Sequence, residues 1–182
     1  VRIYTLTQMI LKKLDFQKIP ELLLQVSEEI ILPRHKKLGS IDISEKGYGA
    51  LVTIADTETE KRLSNELKNL LPDSAFIGEE DTFINEKSFK VLEEDIPVWI
   101  IDPIDGTRDY IKKRDEYTLN AGLIIDLKPA AGIVYAPAKD RLFFLVISIF
   151  TVFSKTPQCL FISTCLLPGI RIMILFFSGI LC

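Results

Sequence analysis

The chain has one histidine, one tryptophan, and three cysteines confined to its last 24 residues, and each scarcity removes a class of function. His35 sits in the basic run Arg34-His35-Lys36-Lys37 and reads as a solvated side chain, so catalysis by a histidine-activated nucleophile is set aside. Cys159, Cys165 and Cys182 match neither the spacing of a zinc site nor a disulfide framework. Their odd count argues against a fully bridged secreted domain, and they read as unpaired thiols of a reducing compartment. No succession of basic, apolar and small residues at the N-terminus marks a secretory signal, and the expected location is the cytoplasm. The first residue is Val1 rather than Met, as in an alternative initiation or a truncated product.

Charge is scarce in one place as well. No acid follows Asp140, and only Lys155 and Arg171 carry charge after Arg141. The first 144 residues hold 20 basic and 25 acidic side chains, a net of −5. No basic patch argues for a nucleic-acid partner. An acidic protein that binds an anionic phosphate needs a cation between the two, which favours metal dependence.

What is present centres on Trp99 to Tyr110. Val98 to Ile101 read as a buried strand that stops abruptly at Asp102 and Pro103. Asp102 and Asp105 then stand at the strand's carboxyl end with Pro103 and Ile104 between them. Pro103 stiffens the turn, and Gly106 permits a conformation that a Cβ would obstruct. Carboxylates suit Mg²⁺, and the turn amides of Gly106 and Thr107 suit phosphate. A solvated acidic turn is the plain alternative. Phe76 to Asp81 is a second short apolar run ending in acids, and two such strands pool charge at one sheet edge, where ligands of layered α/β folds gather.

These motifs resemble the inositol monophosphatase superfamily of magnesium-dependent, lithium-sensitive phosphomonoesterases. The resemblance rests on Leu51-Val52-Thr53-Ile54-Ala55-Asp56, on Gly78-Glu79-Glu80, and on Asp102-Pro103-Ile104-Asp105-Gly106-Thr107, in that order. Within the superfamily, Arg108-Asp109-Tyr110-Ile111, Glu116-Tyr117-Thr118-Leu119-Asn120 and Tyr135-Ala136-Pro137 look most like the 3'(2'),5'-bisphosphate nucleotidases of the CysQ type. The resemblance covers about residues 20 to 144. It implies an α/β fold, the N-terminal part of a layered αβαβα sugar-phosphatase architecture whose C-terminal part is missing or replaced.

The resemblance also implies roles. Glu79, Asp102 and the backbone carbonyl of Ile104 would hold one Mg²⁺, and Asp102 and Asp105 would share a second. The family's further ligand, a Trp-Asp aspartate, lies far downstream, and no aspartate follows Asp140 here. Thr107, hydrogen-bonded to Asp56, would position or deprotonate the attacking water, with Glu79 part of the same machinery. Glu79, Ile104, Asp105, Gly106 and Thr107 would bind the substrate, the amides of Gly106 and Thr107 cradling its phosphate. Glu80 would orient the metal ligands from behind or hold a weaker third metal, and otherwise reads as a surface acid. The implied reaction is hydrolysis of adenosine 3',5'-bisphosphate to AMP by metal-activated water. The alternatives are inositol-1-monophosphate hydrolysis, an inactive remnant, or a membrane-attached protein. The implied partner is a small phosphorylated substrate.

Periodicity supplies the remaining elements. Ile3 to Leu14 and about Pro20 to Lys37 have helical spacing, with Pro33 set to stop or kink the second. Gly39 to Gly49 reads as a polar connection. Asp56 would be delivered by a short extended segment to a helix over Thr57 to Leu71, as its N-cap, as a functional acid or as both, while Thr53 reads as a strand residue. Asp81 to Ile96 is a charged connection with weak helical character. Tyr110 to Lys113 form a helical turn; Tyr117 to Ile125 and Ala130 to Tyr135 are strands joined by a turn at Asp126 to Pro129, and Arg141 begins another. Arg108 and Lys112 either steer an anion or are simply solvated.

Residues 1–144 therefore read as a phosphatase domain and residues 145–182 as a separate apolar tail. A membrane anchor requires about 18 apolar residues without interruption, and Lys155, Arg171 and Pro168-Gly169 break the tail up. A buried core element would leave an exposed apolar patch. A shifted reading frame near residue 145 accounts for both the compositional change and the loss of resemblance.

Overall fold

The computed structural model describes residues 6–47, 49–84, 86–146, 161–167 and 170–176. Helix α1 spans Leu6–Lys13 and α2 Lys18–Val26. Ile19, Leu23 and Val26 form one apolar stripe and are fully buried. The helix then widens into a π turn over Ser27–Ile31 before closing as α3, Leu32–Arg34. Pro33 supplies the reason. Its ring has no N–H and would strike the carbonyl one turn back, and an inserted residue relieves both problems. The helix thus ends at Arg34, three residues before the Lys37 expected from the sequence.

The expected polar connection over Gly39 to Gly49 is mostly an arm of structure. Strand β1, Ile43–Gly47, pairs antiparallel with β2, Ala50–Thr53, with Ile43 opposite Thr53. Helix α4 follows at once over Ile54–Leu70. Its N-cap is Thr53, not Asp56. The Thr53 hydroxyl accepts from the amides of Ala55 and Asp56 at 3.2 and 3.4 Å, and Asp56 Oδ2 accepts from the Thr53 amide at 2.9 Å. This reciprocal arrangement starts the helix three residues earlier than expected.

Strand β3 (Ala75–Gly78), helix α5 (Glu79–Ile84), a 3₁₀ segment (Glu86–Glu93) and strand β4 (Val98–Asp105) make a parallel crossover. Helix α6, Thr107–Ile111, leads to β5 (Thr118–Ile125), β6 (Lys128–Ala136) and β7 (Arg141–Val146). In the tail, β8 spans Phe161–Leu167 and β9 Ile170–Phe176. One sheet runs β3-β4-β5-β6-β7-β9-β8. Pairings β3 to β4 and β7 to β9 are parallel; the others are antiparallel. Within the apolar tail, the readings that turn on Lys155, Cys159, Pro168-Gly169 and Cys182 fall outside the described residues, as does the start of the first helix before Leu6.

Alternation sets the core. In β5, Leu119, Ala121, Leu123 and Ile125 are buried, and Thr118, Asn120, Gly122 and Ile124 face the other way. The buried set joins Trp99, Ile101, Ile133, Leu142 and Phe144 against Leu23, Leu63 and Leu67 from α2 and α4. The second face is apolar but open, with Ile100, Val134 and Phe143 exposed.

Candidate active site

Each strand that ends in acids delivers them to the same edge. Because β3 and β4 are parallel with Gly78 opposite Ile101, Glu79 and Asp102 leave neighbouring strands side by side. Asp102 lies beside Glu79, Asp105 and Asp56, and Glu79 is within hydrogen-bonding reach of it. Burial, then the repulsion of these three acids, pushes the Asp102 carboxyl up to about 8. Asp102 Oδ1 is buried and has no hydrogen-bond partner among the described residues.

Between Asp102 and Asp105 the pairing with β5 slips, since Asp102 faces Asn120 and Asp105 faces Thr118. Three steps along β4 thus match two along β5, a bulge at Pro103, which has no N–H to give the ladder. Gly106 follows at φ 98°, and a Cβ there would stand 2.7 Å from the Glu116 carbonyl oxygen. Positive φ and close approach both require glycine at this turn.

Thr107 Oγ1 lies 3.3 Å from Asp56 Oδ1 and 2.9 Å from the Ile104 carbonyl oxygen. Its one proton serves either acceptor. Asp56 is fully buried, and burial raises its pKa against the Thr53 hydrogen bonds, the Lys46 charge and the Thr107 hydroxyl. Glu80 is buried rather than a surface acid, and burial lifts it to about 7 despite the Lys46 ammonium.

Three contributors escaped the sequence reading. The Lys46 side chain, only 7 % exposed, reaches Glu79 Oε1 at 3.2 Å and Glu80 Oε1 at 2.5 Å. Burial lowers its pKa, but the two glutamates outweigh burial and the net shift is upward. Lys46 belongs to a segment read as a polar connection, and nothing in that segment signals the contact. Glu60 is buried and accepts from the amides of Glu80 at 2.8 Å and Asp81 at 2.9 Å, so it caps α5 from below. A signal for Glu60 existed, because it lies on the helical stripe of Asp56, Leu63 and Leu67. Asn120 donates from Nδ2 to Asp105 Oδ2 at 3.3 Å.

His35 corrects the sequence reading in the other direction. It is 9 % exposed, stacked on Tyr110 with ring centroids 5.3 Å apart and edge-on to Tyr117 at 4.9 Å. Its Nε2 is 3.0 Å from the Arg114 carbonyl oxygen. A side chain read as solvated is part of an aromatic cluster. Arg108 donates to the Gly49 carbonyl at 2.8 Å, which ties the β1–β2 arm to α6.

Among the described residues, no three Asp, Glu, His or Cys side chains close into a metal cage. The donor set nevertheless suits a hard divalent cation. Glu79, Asp102 and Asp105 offer oxygens only, Asp102 Oδ1 lacks a partner, and the Ile104 carbonyl keeps a second lone pair beside the one Thr107 uses.

Residues 15–147 match the profile of the inositol monophosphatase family. The chain belongs to that family. An inositol monophosphatase 2 of Solanum lycopersicum is 39 % identical over 110 residues, which cover 60 % of this chain and 41 % of the relative. The 3'(2'),5'-bisphosphate nucleotidase CysQ of Escherichia coli (strain K12) is 33 % identical over 103 residues, covering 57 % and 40 %. An IMPase of Thermotoga maritima shares the fold with a TM-score of 0.59 at 22 % identity, over 70 % of this chain and 46 % of the other. The chain therefore spans about two fifths of the length of these curated relatives. Among the described residues no helix is long and apolar enough to cross a membrane.

Proposed function

We propose that the chain carries the metal- and phosphate-binding part of a Mg²⁺-dependent phosphomonoesterase, and that its substrate is a 3',5'-bisphosphorylated nucleoside. The observation that carries the reading is the gathering of Glu79, Asp102 and Asp105 at two adjacent parallel strand ends, with the Asp56–Thr107 hydroxyl pair beside them. Glu79, Asp102, the Ile104 carbonyl and Asp105 would hold Mg²⁺. When bound, Mg²⁺ supplies charge neutralisation at the phosphoryl oxygens and acidifies a coordinated water.

The chain's own groups do the rest. Thr107 would accept a hydrogen bond from the attacking water, and as it takes the water's proton on Oγ1 its own hydroxyl proton would pass to the Asp56 carboxylate. Gly106 lets the turn lie against the Glu116 carbonyl, and its amide and that of Thr107 would meet a phosphate oxygen. Glu80, held neutral or charged by its balance with Lys46, sets the charge around Glu79. The run from Arg108 to Ile111 and the run from Glu116 to Asn120 support a nucleotide over inositol monophosphate. Both activities occur among relatives of similar identity.

Phosphate release by the full chain with Mg²⁺, from adenosine 3',5'-bisphosphate and from inositol monophosphate side by side, tests the reading. Faster release from the nucleotide is expected. Preference for inositol phosphate overturns the substrate, and no release from either overturns catalysis by this chain.

A further inference from the structure

We propose that Asn120 is a positioning residue for the metal site, fixing one oxygen of Asp105 so that the other is left for the ion shared with Asp102. The proposal rests on the metal-binding reading above and adds a residue to it. Asn120 lies in β5 directly opposite Asp102, so the two side chains rise from the same face of the sheet. That face is otherwise apolar here. Asn120 and Asp102 stand at one end of a cavity of about 550 Å³ bounded by Ile100, Ile124, Val134 and Phe143. An amide on such a surface loses hydration and is retained at a cost unless it makes hydrogen bonds.

One bond is made. Asn120 Nδ2 donates to Asp105 Oδ2 at 3.3 Å, and only the amide nitrogen can donate to a carboxylate, so the orientation of the amide is fixed by chemistry. The bulge at Pro103 sets Asp105 opposite Thr118, two positions from Asn120 on the same face of β5, within reach of this amide. Without the contact, Asp105 would swing outward, because it is exposed and repelled by Asp102. Asn120 Oδ1 is buried and has no partner among the described residues, which leaves it able to accept from a substrate hydroxyl. Groups that orient metal ligands in this way typically change affinity by about 10- to 100-fold when removed.

The test uses the full chain and Mn²⁺ as the probe. Asn120→Leu keeps the side-chain size and suits the apolar face, so the metal-free unfolding midpoint is expected to stay level or rise while Mn²⁺ binds about tenfold more weakly. Asn120→Ala is measured in parallel, so that a packing failure of leucine is recognised. In an Asp105→Ala background neither substitution should weaken Mn²⁺ binding further. Wild-type affinity in Asn120→Leu or Asn120→Ala, or equal losses with and without Asp105, overturns the proposal. Absence of Mn²⁺ binding by the wild-type chain brings down the metal reading instead. The Asn120 side-chain amide resonances of the metal-free protein then decide this one: they should move on Asp105→Ala and not on Lys128→Ala, and resonances unmoved by Asp105→Ala overturn it.

Discussion

At the scale of single residues, the site is a store of unfavourable charge. Asp102 titrates near 4 when unfolded and about 8 when folded, and Glu80 shifts the same way to about 7. The folded chain therefore holds more protons between these limits, and its stability falls as pH rises through that window. The metal-free chain is expected to lose on the order of 1 to 2 kcal/mol between pH 5 and pH 8.5, after allowance for screening by the open site. Urea unfolding at the two pH values measures it, and a chain more stable at pH 8.5 refutes it. Asp102→Asn should remove much of the slope. Gly78 is the second residue-scale constraint. A Cβ there would stand 2.1 Å from the Glu60 carboxyl carbon, so Gly78→Ala must displace the group that caps α5. A loss of about 2 kcal/mol is expected. In a double-mutant cycle with Glu60→Ala the two losses should not add. Its φ is ordinary, so the glycine is there for space, a reason invisible until α4 is packed beneath β3.

At the scale of elements, local rules account for most boundaries and one competing rule accounts for the errors. The β5–β6 hairpin turns through Asp126 and Leu127 at φ 52° and 56°, the geometry of a type I′ turn. Leucine is poorly suited to that conformation and is 75 % exposed, so its side chain contributes little packing. Leu127→Gly should stabilise the chain by about 0.5 to 1 kcal/mol, read as a shift in urea midpoint with unchanged slope. The strand alternation of β5 and the stripe of α2 were legible in the sequence because period reports burial directly. The start of α4 was misplaced because Asp56 and Thr53 are both good caps, and only their reciprocal hydrogen bonds choose between them. The β1–β2 arm was read as a connection because it is short, polar and half exposed, and its pairing supplies the order that its composition does not.

At the scale of the whole molecule, the described residues cover the sheet on one face only. Helices α2 and α4 cover Trp99, Leu119, Leu123 and Ile133, while Ile100 at 36 %, Val134 at 43 % and Phe143 at 48 % remain exposed on the other. Contiguous apolar surface of this kind promotes association. Replacing Val134 and Phe143 together by lysine should reduce self-association in sedimentation without lowering the unfolding midpoint by more than about 1 kcal/mol. Unchanged association would show that this face is not responsible.

The sequence by itself determined the family and the acidic turn from Asp102 to Thr107, since Pro103 cannot give an N–H to the strand ladder and Gly106 alone takes the positive φ that ends it. It also determined which side of β5 faces the core, because alternation leaves no second choice. Only the tertiary structure decided that Lys46 and Glu60 belong with the acids, that Asn120 donates to Asp105, and that His35 is buried. Those contacts join residues up to 79 positions apart. A side chain's partners at that separation depend on how strands and helices stack, which no local spacing records.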